Sequence, residues 1–521
     1  MMPIVYAIGI RLFLIPADLA LLLIGPRYKL YLWLFGVAPP GWLAWLGRLR
    51  AIRAANYAAR RVPAYQSFLT DRNIRPGNVV DLDLPETSKE NYVKVYAPDQ
   101  RCVNGVLPSR HTAIDESSGS TGTPFNWLRS DRERHSSHVF ISHFARYAFG
   151  SGPWITINGF SMGAWATGSN MGMALQRNSM VKNTGPDLQK IFSTLEHFGP
   201  GHRYLICGYP PFLKHLIDVA RDRKFPLHDY RLMAMLGGEG NSEGLRDYLY
   251  QEFKPVFSGY GATDIEIGVA GETPLSLAVR RACRDNQALR QALFGSDSRL
   301  PMVFQFNPLM HHIETNGEGE LIFTITRRNI LTPRIRYNIR DEGGTATFKE
   351  LKARCRSVGV DLLGLETGSG AHPLRMPFMW VFGRRDSTVS VMGANIYPED
   401  IEECIYAEPE LAKLTNSFAL GLKELSAGNV RPLFSFEIRG DIGPGLAQRF
   451  EESMVRRMRA INSDFREAYS EYPDAVTPVV ELHPLGTGPF AQDAFKIKQA
   501  RVLKAEMAEK DPDVSPGGMP G

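Results

Sequence analysis

The chain has 521 residues, a net charge of +5, 44% hydrophobic residues and 22% charged residues. These proportions are ordinary for globular proteins and exclude a disordered or fibrous chain. The length allows three or four domains' worth of polypeptide, or one large domain with a smaller appendage. With so small a net charge and no long basic run, nucleic acid is a poor partner.

Residues 4–46 are very apolar but are interrupted by Arg11, Pro16, Asp18 and Pro26. A membrane-spanning helix needs about 20 mostly apolar residues without such breaks. A signal peptide would want leading charge and a small-residue cleavage site. Two readings stand: an amphipathic segment lying on a membrane surface, or a segment that packs on the body or mediates association. Residues 47–69 read as an amphipathic helix, with Leu49, Ile52, Ala55 and Ala59 on one face and Arg50 and Arg61 on the other, stopped by Pro63. A helix is expected over 132–149 and a strand at 154–157. The Gly- and Met-rich run at 158–175 reads as a loop-rich stretch lining a cavity, or as a loose surface loop.

From 186 to 305 helical patterns at 211–223 and 242–253 are each followed by a short apolar run, RLMAML and PVFSGYG. That alternation predicts βα units and a largely parallel sheet. EGELIFTIT (318–326) and FMWVF (378–382) read as strands. After Gly383 the texture changes to the run VSVMG, a helix over 398–406, the runs SFALGL and LFSFEI, and a helix over 445–461, a compact α+β unit. The last residues, DPDVSPGGMPG, have no periodicity and are expected to be disordered. The expected divisions are 1–46 (apolar segment), 47–385 (large domain), 386–510 (small domain) and 511–521 (tail). The five cysteines, Cys102, Cys207, Cys283, Cys355 and Cys404, form no CxxC pair. This argues for a reducing cytoplasm. Cys283 with His311 or His312 lacks the spacing of a zinc site, so ordinary core or surface positions are the better reading.

Six motifs carry chemistry. The first is SSGSTGTP, comprising Ser117, Ser118, Gly119, Ser120, Thr121, Gly122, Thr123 and Pro124. Glycines admit close backbone approach, and amide and hydroxyl groups can cradle phosphate oxygens; a plain flexible turn reads equally well. The second is GGE at Gly237–Glu239, directly after RLMAML. The third is SGYGATD, ending at Thr263 and Asp264, which sets an aromatic ring beside a hydroxyl and a carboxylate suited to Mg2+. Ordinary strand-to-loop punctuation is the alternative for both. The fourth, TPRIRYNIRD, packs three arginines ahead of Asp341, whose carboxylate suits a ribose diol; a solvated β-ribbon with ion pairs is the alternative. The fifth is GRRDSTVSVMGANIYPEDI (383–401) and the sixth is KIKQAR (496–501).

In this order the motifs resemble the adenylate-forming superfamily of acyl-CoA synthetases, adenylation domains and luciferases, and in particular its phenylacetate–CoA ligase branch. The resemblance spans about residues 47–501. It implies an α/β fold, with a large domain of mixed and parallel sheets flanked by helices and a small mobile α+β C-terminal domain. It further implies that loop 117–124 closes over the β- and γ-phosphates of ATP. Gly238 and Glu239 would border the adenine, with Tyr260 and Gly261 beside it. Thr263 would touch the α-phosphate, Asp264 would hold Mg2+, and Asp341 would hold the ribose. Arg384 would assist at ribose and phosphate, Asp386 would be the hinge, and Gly393 would face the thiol's tunnel. Lys498 would be the mobile catalytic lysine, with Lys496 as competitor. Three departures stand out. Thr123 replaces the usual loop lysine, Asp264 replaces glutamate, and the lead before Lys498 lacks the usual glycines.

The implied reaction is ATP-dependent activation of a carboxylic acid, followed by transfer to coenzyme A. Transfer to a carrier protein or an amine is the near alternative. A catalytically inactive acid- or nucleotide-binding homologue is the alternative from another class. The acid is expected to be apolar, from the Gly/Met-rich run with Phe257 and Tyr260, and the branch resembled favours an aryl or arylalkyl acid.

Overall fold

The computed structural model describes residues 2–116, 125–163, 166–297, 299–328, 330–365, 372–384, 389–392, 394–425, 430–491 and 501–503. The loop 117–124, Asp386, Gly393, Lys496, Lys498 and the tail 511–521 lie outside them. Two compact units divide the chain: Met1–Gly240 with Leu249–Arg384, and Asn241–Tyr248 with Arg385–Gly521.

The first unit opens with helices α1 (Met2–Ile24), α2 (Tyr28–Val37), α3 (Pro40–Arg61) and α4 (Pro63–Thr70). Pro63 ends α3 and sits at the first turn of α4, where its missing N–H costs nothing. A hairpin, β1 (Thr112–Glu116) and β2 (Asn126–Ser130), follows. Then come α5 (Asp131–Phe149), β3 (Ile155–Asn158), α6 (Ala166–Leu175), β4 (Met180–Asn183), α7 (Leu188–Phe198), β5 (Arg203–Gly208), α8 (Pro210–Asp222) and β6 (Arg231–Gly237). Ser130 starts α5 by a reciprocal cap, its Oγ accepting from Glu133 N–H (3.3 Å) and its N–H donating to the Glu133 carboxylate (2.7 Å). The chain then passes through α9 (Glu243–Leu249), which up to Tyr248 belongs to the second unit, and the first unit resumes with β7 (Phe253–Ala262), β8 (Glu266–Gly271), α10 (Pro274–Asp285), α11 (Gln287–Phe294) and β9 (Met302–Phe306). The unit ends with β10 (His311–Thr315), β11 (Glu320–Ile325), β12 (Tyr337–Ala346), α12 (Phe348–Ser357) and β13 (Phe378–Arg384).

Among the described residues these strands form one eleven-stranded sheet, in the order β10-β11-β12-β13-β9-β8-β7-β6-β5-β3-β4. From β4 to β7 neighbours run parallel, and from β7 to β10 they run antiparallel. β5 and β6 read as unbroken apolar runs because helices cover both faces of a parallel sheet.

The sheet is thus mixed rather than largely parallel, because after β7 the strands return antiparallel, and two further expectations fail. The run 158–175 is not all loop, since its second half is α6. Its glycines serve contact rather than flexibility. A Cβ on Gly168 would lie 2.0 Å from the Ser161 carbonyl oxygen, and one on Gly172 would lie 2.3 Å from the Asn183 side chain. Arg50 is not on an outer face but buried. Asp18 of α1 faces α3 and pairs with both Arg50 and Arg53, and Arg50 Nε also donates to the Leu309 carbonyl at 2.9 Å. A buried acid on a neighbouring helix thus overrides the helix's own periodicity. The N-terminal helices pack on the body; Gly47 of α3 comes so close to Pro308 that a Cβ would meet its carbonyl oxygen at 2.3 Å. Cys283 lies in an apolar cluster with Cys355, His311 bonds Glu266, and no metal-binding group of His, Cys, Asp and Glu exists among the described residues.

The second unit holds a hairpin, β14 (Val389–Val391) with β15 (Ala394–Ile396), followed by α13 (Pro398–Tyr406) and α14 (Pro409–Leu414). Its three-stranded sheet is β16 (Thr415–Glu424), β17 (Val430–Ile438) and β18 (Val479–Pro484), packed with α15 (Leu446–Ile461), α16 (Ser463–Glu471) and α17 (Pro473–Val476). Its core is built on Phe434, Phe436, Phe450, Met454 and Phe465.

Candidate active site

β7 changes partners along its length. It runs parallel to β6, with Gly259 opposite Gly237, and then turns antiparallel onto β8, with Ala262 opposite Glu266. The YGATD motif therefore lies where the sheet switches from parallel to antiparallel, beside the C-terminal end of β6, a place where open α/β sheets bind ligands. Gly261 is required there: a Cβ would sit 2.7 Å from both the Glu266 oxygen and the Gly268 nitrogen. Gly238 follows β6 with φ +84°, in the left-handed region. Glu239 is half-buried beside it. It lies near Tyr209, whose phenol is raised by burial and further by the charge of Glu239.

Three of the expected residues meet on neighbouring strands. The Tyr260 hydroxyl donates to Asp341 Oδ2 at 2.6 Å, and Asp341 of β12 stands opposite Arg384 of β13. The Tyr260 ring rests against Phe304 (5.7 Å) and stacks with Phe323 (6.1 Å). Burial raises the Tyr260 phenol well above its ordinary value and Asp341 adds to this, while Arg384 opposes. Tyr260 is thus a neutral donor, and its bond fixes the orientation of the Asp341 side chain.

The β7–β8 turn carries Thr263 and Asp264, both half-buried. Arg129 of β2 donates to the carbonyl oxygens of Thr263 and, at 2.9 Å, Ile265, and pairs with Asp115 of β1 at 2.9 Å. The base of the 117–124 loop is therefore tied directly to this turn. Arg334 Nε donates to the Asp264 carbonyl at 3.1 Å, and its guanidinium lies 4.9 Å over the Trp127 ring. Burial first, then the charge of Arg129, pushes Arg334 down to about 9. Arg334 is thus a buried cation and no part of a solvated ribbon; β12 begins only at Tyr337. The Asp264 carboxylate accepts from the Tyr337 hydroxyl (3.2 Å) and faces Lys89 Nζ (3.5 Å).

Sequence reasoning missed Lys89 and Glu266. Lys89 Nζ also lies 4.9 Å over the ring of Phe125, the residue that leaves the 117–124 loop. The only local signal is Ser88 capping a short helical turn with Asn91, and it says nothing about the lysine. Glu266 accepts from His311 Nε2 at 2.8 Å, from the Ser137 hydroxyl and from Arg327. Burial alone would raise its carboxyl, but Arg327, His311 and Ser137 overcome that and hold it well below the ordinary range. Glu266 fixes the first residue of β8 and so the turn before it.

Three of the six motifs thus converge here, GGE, YGATD and RIRYNIRD, beside the strands that flank the hydroxyl-rich loop, whose own residues 117–124 lie outside the described ones. Arg384, at the start of the fifth, joins them. Lys496, Lys498, Asp386 and Gly393 fall outside the described residues. Arg501, three residues beyond Lys498, is anchored on β16: it donates to the Phe418 carbonyl at 3.1 Å and lies 4.1 Å over that ring.

No protein-family model matches this sequence, and no curated protein matches it. Solved structures do. A 2-hydroxyisobutyryl-CoA ligase in the postadenylation state, in complex with R3-HIB-AMP, shares 14% identity over 91% of this chain and 92% of that chain, with a TM-score of 0.66. The same ligase in complex with 2-HIB-AMP and CoA in the thioesterification state shares 14% identity over 90% of this chain and 91% of that chain, with a TM-score of 0.53. The chain has the fold of the adenylate-forming acyl-CoA ligases, a large mixed α/β body followed by a smaller C-terminal part.

Proposed function

We propose that this chain couples ATP to a carboxylic acid to form an acyl-adenylate, and then transfers the acyl group to the thiol of coenzyme A. The observation that carries the reading is the meeting of Tyr260, Asp341 and Arg384 beside the Thr263–Asp264 turn. It is supported by the fold, since a similarly folded ligase was solved with R3-HIB-AMP and with 2-HIB-AMP and CoA.

A carboxylate oxygen attacks the α-phosphorus, and the bond to pyrophosphate breaks. The thiol then attacks the mixed anhydride's carbonyl, and AMP leaves. Two anions must meet in the first step, so positioning and charge neutralisation supply the catalysis. In this reading Asp341 accepts from the ribose hydroxyls while Tyr260 orients its carboxylate. Gly238, Glu239 and Gly261 border the nucleotide, Thr263 touches the α-phosphate, and Arg384 serves ribose and phosphate. The hydroxyl-rich loop covers the outer phosphates, with Lys89 at its base in place of the cation that Thr123 does not provide. Asp264 would hold Mg2+ through its half-buried carboxylate, an oxygen donor that suits this hard cation. Mg2+ there would neutralise phosphate charge.

Lys498 enters from the small domain for the first step, and that domain, hinged at Asp386, presents Gly393 for the second. A reducing cytoplasm suits five buried thiols. No described helix is long and apolar enough to cross a membrane. The phenylacetate–CoA ligase branch would make the acid an aryl or arylalkyl one.

The test is acceptor choice. With ATP, Mg2+ and a panel of apolar acids, coenzyme A should give a thioester and stoichiometric AMP. Product formed only with a phosphopantetheinylated carrier or an amine would reject the coenzyme A assignment.

A further inference from the structure

We propose that the outward face of α1, α2 and α3 docks on the surface of an anionic lipid bilayer.

α1 buries Ile10, Leu14 and Asp18, spaced every four residues. Its opposite side exposes Leu12, Phe13, Leu19, Leu22 and Leu23, with Leu22 at 71% the most open. A helix resting on a protein body in water turns polar residues outward. α15 of the same chain does so, burying Phe450, Met454 and Met458 while exposing Arg449, Glu452, Arg456 and Arg459. α1 shows no such polar face among its described side chains. α3 continues the apolar surface: its exposed Trp45 meets Phe13 edge-on at 5.4 Å, joining the two helices' outer sides, and Trp42 is exposed one turn earlier. With Trp33 of α2, three of the chain's seven tryptophans are exposed on these helices. An indole, apolar with one polar N–H, favours the headgroup level of a bilayer.

Charge selects the occupant. Residues 1–70 carry eight Lys and Arg against one Asp, a net +7. The whole chain, with 60 basic and 55 acidic residues, is only +5, so the remaining residues sum to −2. The one acid, Asp18, is turned inward onto Arg50 and Arg53, while Arg27 and Lys29, at the junction of α1 and α2, and Arg48 of α3 stay exposed. Helices that carry exposed cations with an apolar face suit an anionic leaflet. The same cations would repel a second copy of themselves. Because α1 buries Ile10 and Leu14 as well as Asp18, the helix lies along the body and meets lipid in the plane of the surface. This docking is independent of the reaction catalysed.

The test uses the full chain with phosphatidylcholine vesicles, with or without phosphatidylserine. Binding should require phosphatidylserine and weaken with added salt. Tryptophan emission should shift blue and be quenched by brominated acyl chains. Leu19→Gln with Leu22→Gln and Leu23→Gln should weaken binding about tenfold or more. Arg27→Glu with Lys29→Glu should weaken it similarly and flatten the salt dependence; this pair keeps the test sound if the leucine variant misfolds. Absence of vesicle binding overturns the proposal. So does unchanged binding by both variants, or a concentration-dependent dimer that Leu22→Gln abolishes, which would give the face to a second copy.

Discussion

Asp341→Ala offers the sharpest probe of the nucleotide site. The carboxylate is 9% exposed and holds the Tyr260 hydroxyl at 2.6 Å. A hydrogen bond to a charged group is worth about 1.5–3 kcal/mol, and each 1.4 kcal/mol is tenfold in affinity. Losing one ribose contact should therefore raise the KM for ATP at least about tenfold, and losing two by roughly 10²–10⁴. The same change strands the Tyr260 hydroxyl, which costs about 1–3 kcal/mol of stability, so Tm should fall while the protein stays folded. Tyr260→Phe separates the two effects: it removes the donor but leaves the carboxylate, so the KM for ATP should rise less than in Asp341→Ala. Pyrophosphate exchange at saturating acid gives the KM, and thermal unfolding gives the stability. A folded Asp341→Ala variant with an unchanged KM for ATP would refute the ribose assignment.

Lys498→Ala should cut adenylation by about 10²–10³, as for losing one preorganised charge. It should still convert a supplied acyl-adenylate to thioester, whereas Gly393→Trp should do the reverse; if Lys496→Ala carries the defect instead, the lysine is two residues earlier. Lys89→Met should weaken ATP binding about tenfold or more with little change in Tm, read by the same exchange assay. Glu266→Gln breaks a buried ionic cluster and should cost about 3–5 kcal/mol in urea unfolding. Because Glu266 is held low in the fold, its stabilisation is full above its ordinary value of 4.5 and is lost as pH falls through the folded value; the variant should lose less stability in acid. Glu402, which accepts from Ser242 N–H at 2.7 Å, is pushed up to about 7 by burial, against Arg501 and the Ser242 bonds. A raised carboxyl favours the fold while protonated, so wild-type stability should decline as pH rises from 4.5 through 7, and Glu402→Gln should flatten that slope.

The fold class was legible because motif order and βα alternation are properties of the chain itself. The run RLMAML announced a buried strand, and EGELIFTIT and FMWVF announced two more. Composition misled at α6, where glycines that permit close helix contact look the same in sequence as glycines that permit a loop. Periodicity misled at Arg50, because the burial of one arginine depends on an acid on a different helix. Lys89 was invisible for a related reason. Its neighbours Asp264 and Phe125 are brought to it by the β7–β8 turn and the end of a loop, and no local pattern encodes that meeting. Asp341 and Arg384 were each read singly; their pairing across β12 and β13 is a matter of strand register.

The most direct measurement is acid-dependent exchange of labelled pyrophosphate into ATP, run across a panel of apolar carboxylic acids. The account predicts exchange that needs one of these acids and Mg2+, and that falls sharply in Asp341→Ala. A protein that binds ATP yet shows no exchange with any acid would contradict it and leave this chain a nucleotide-binding homologue without the chemistry.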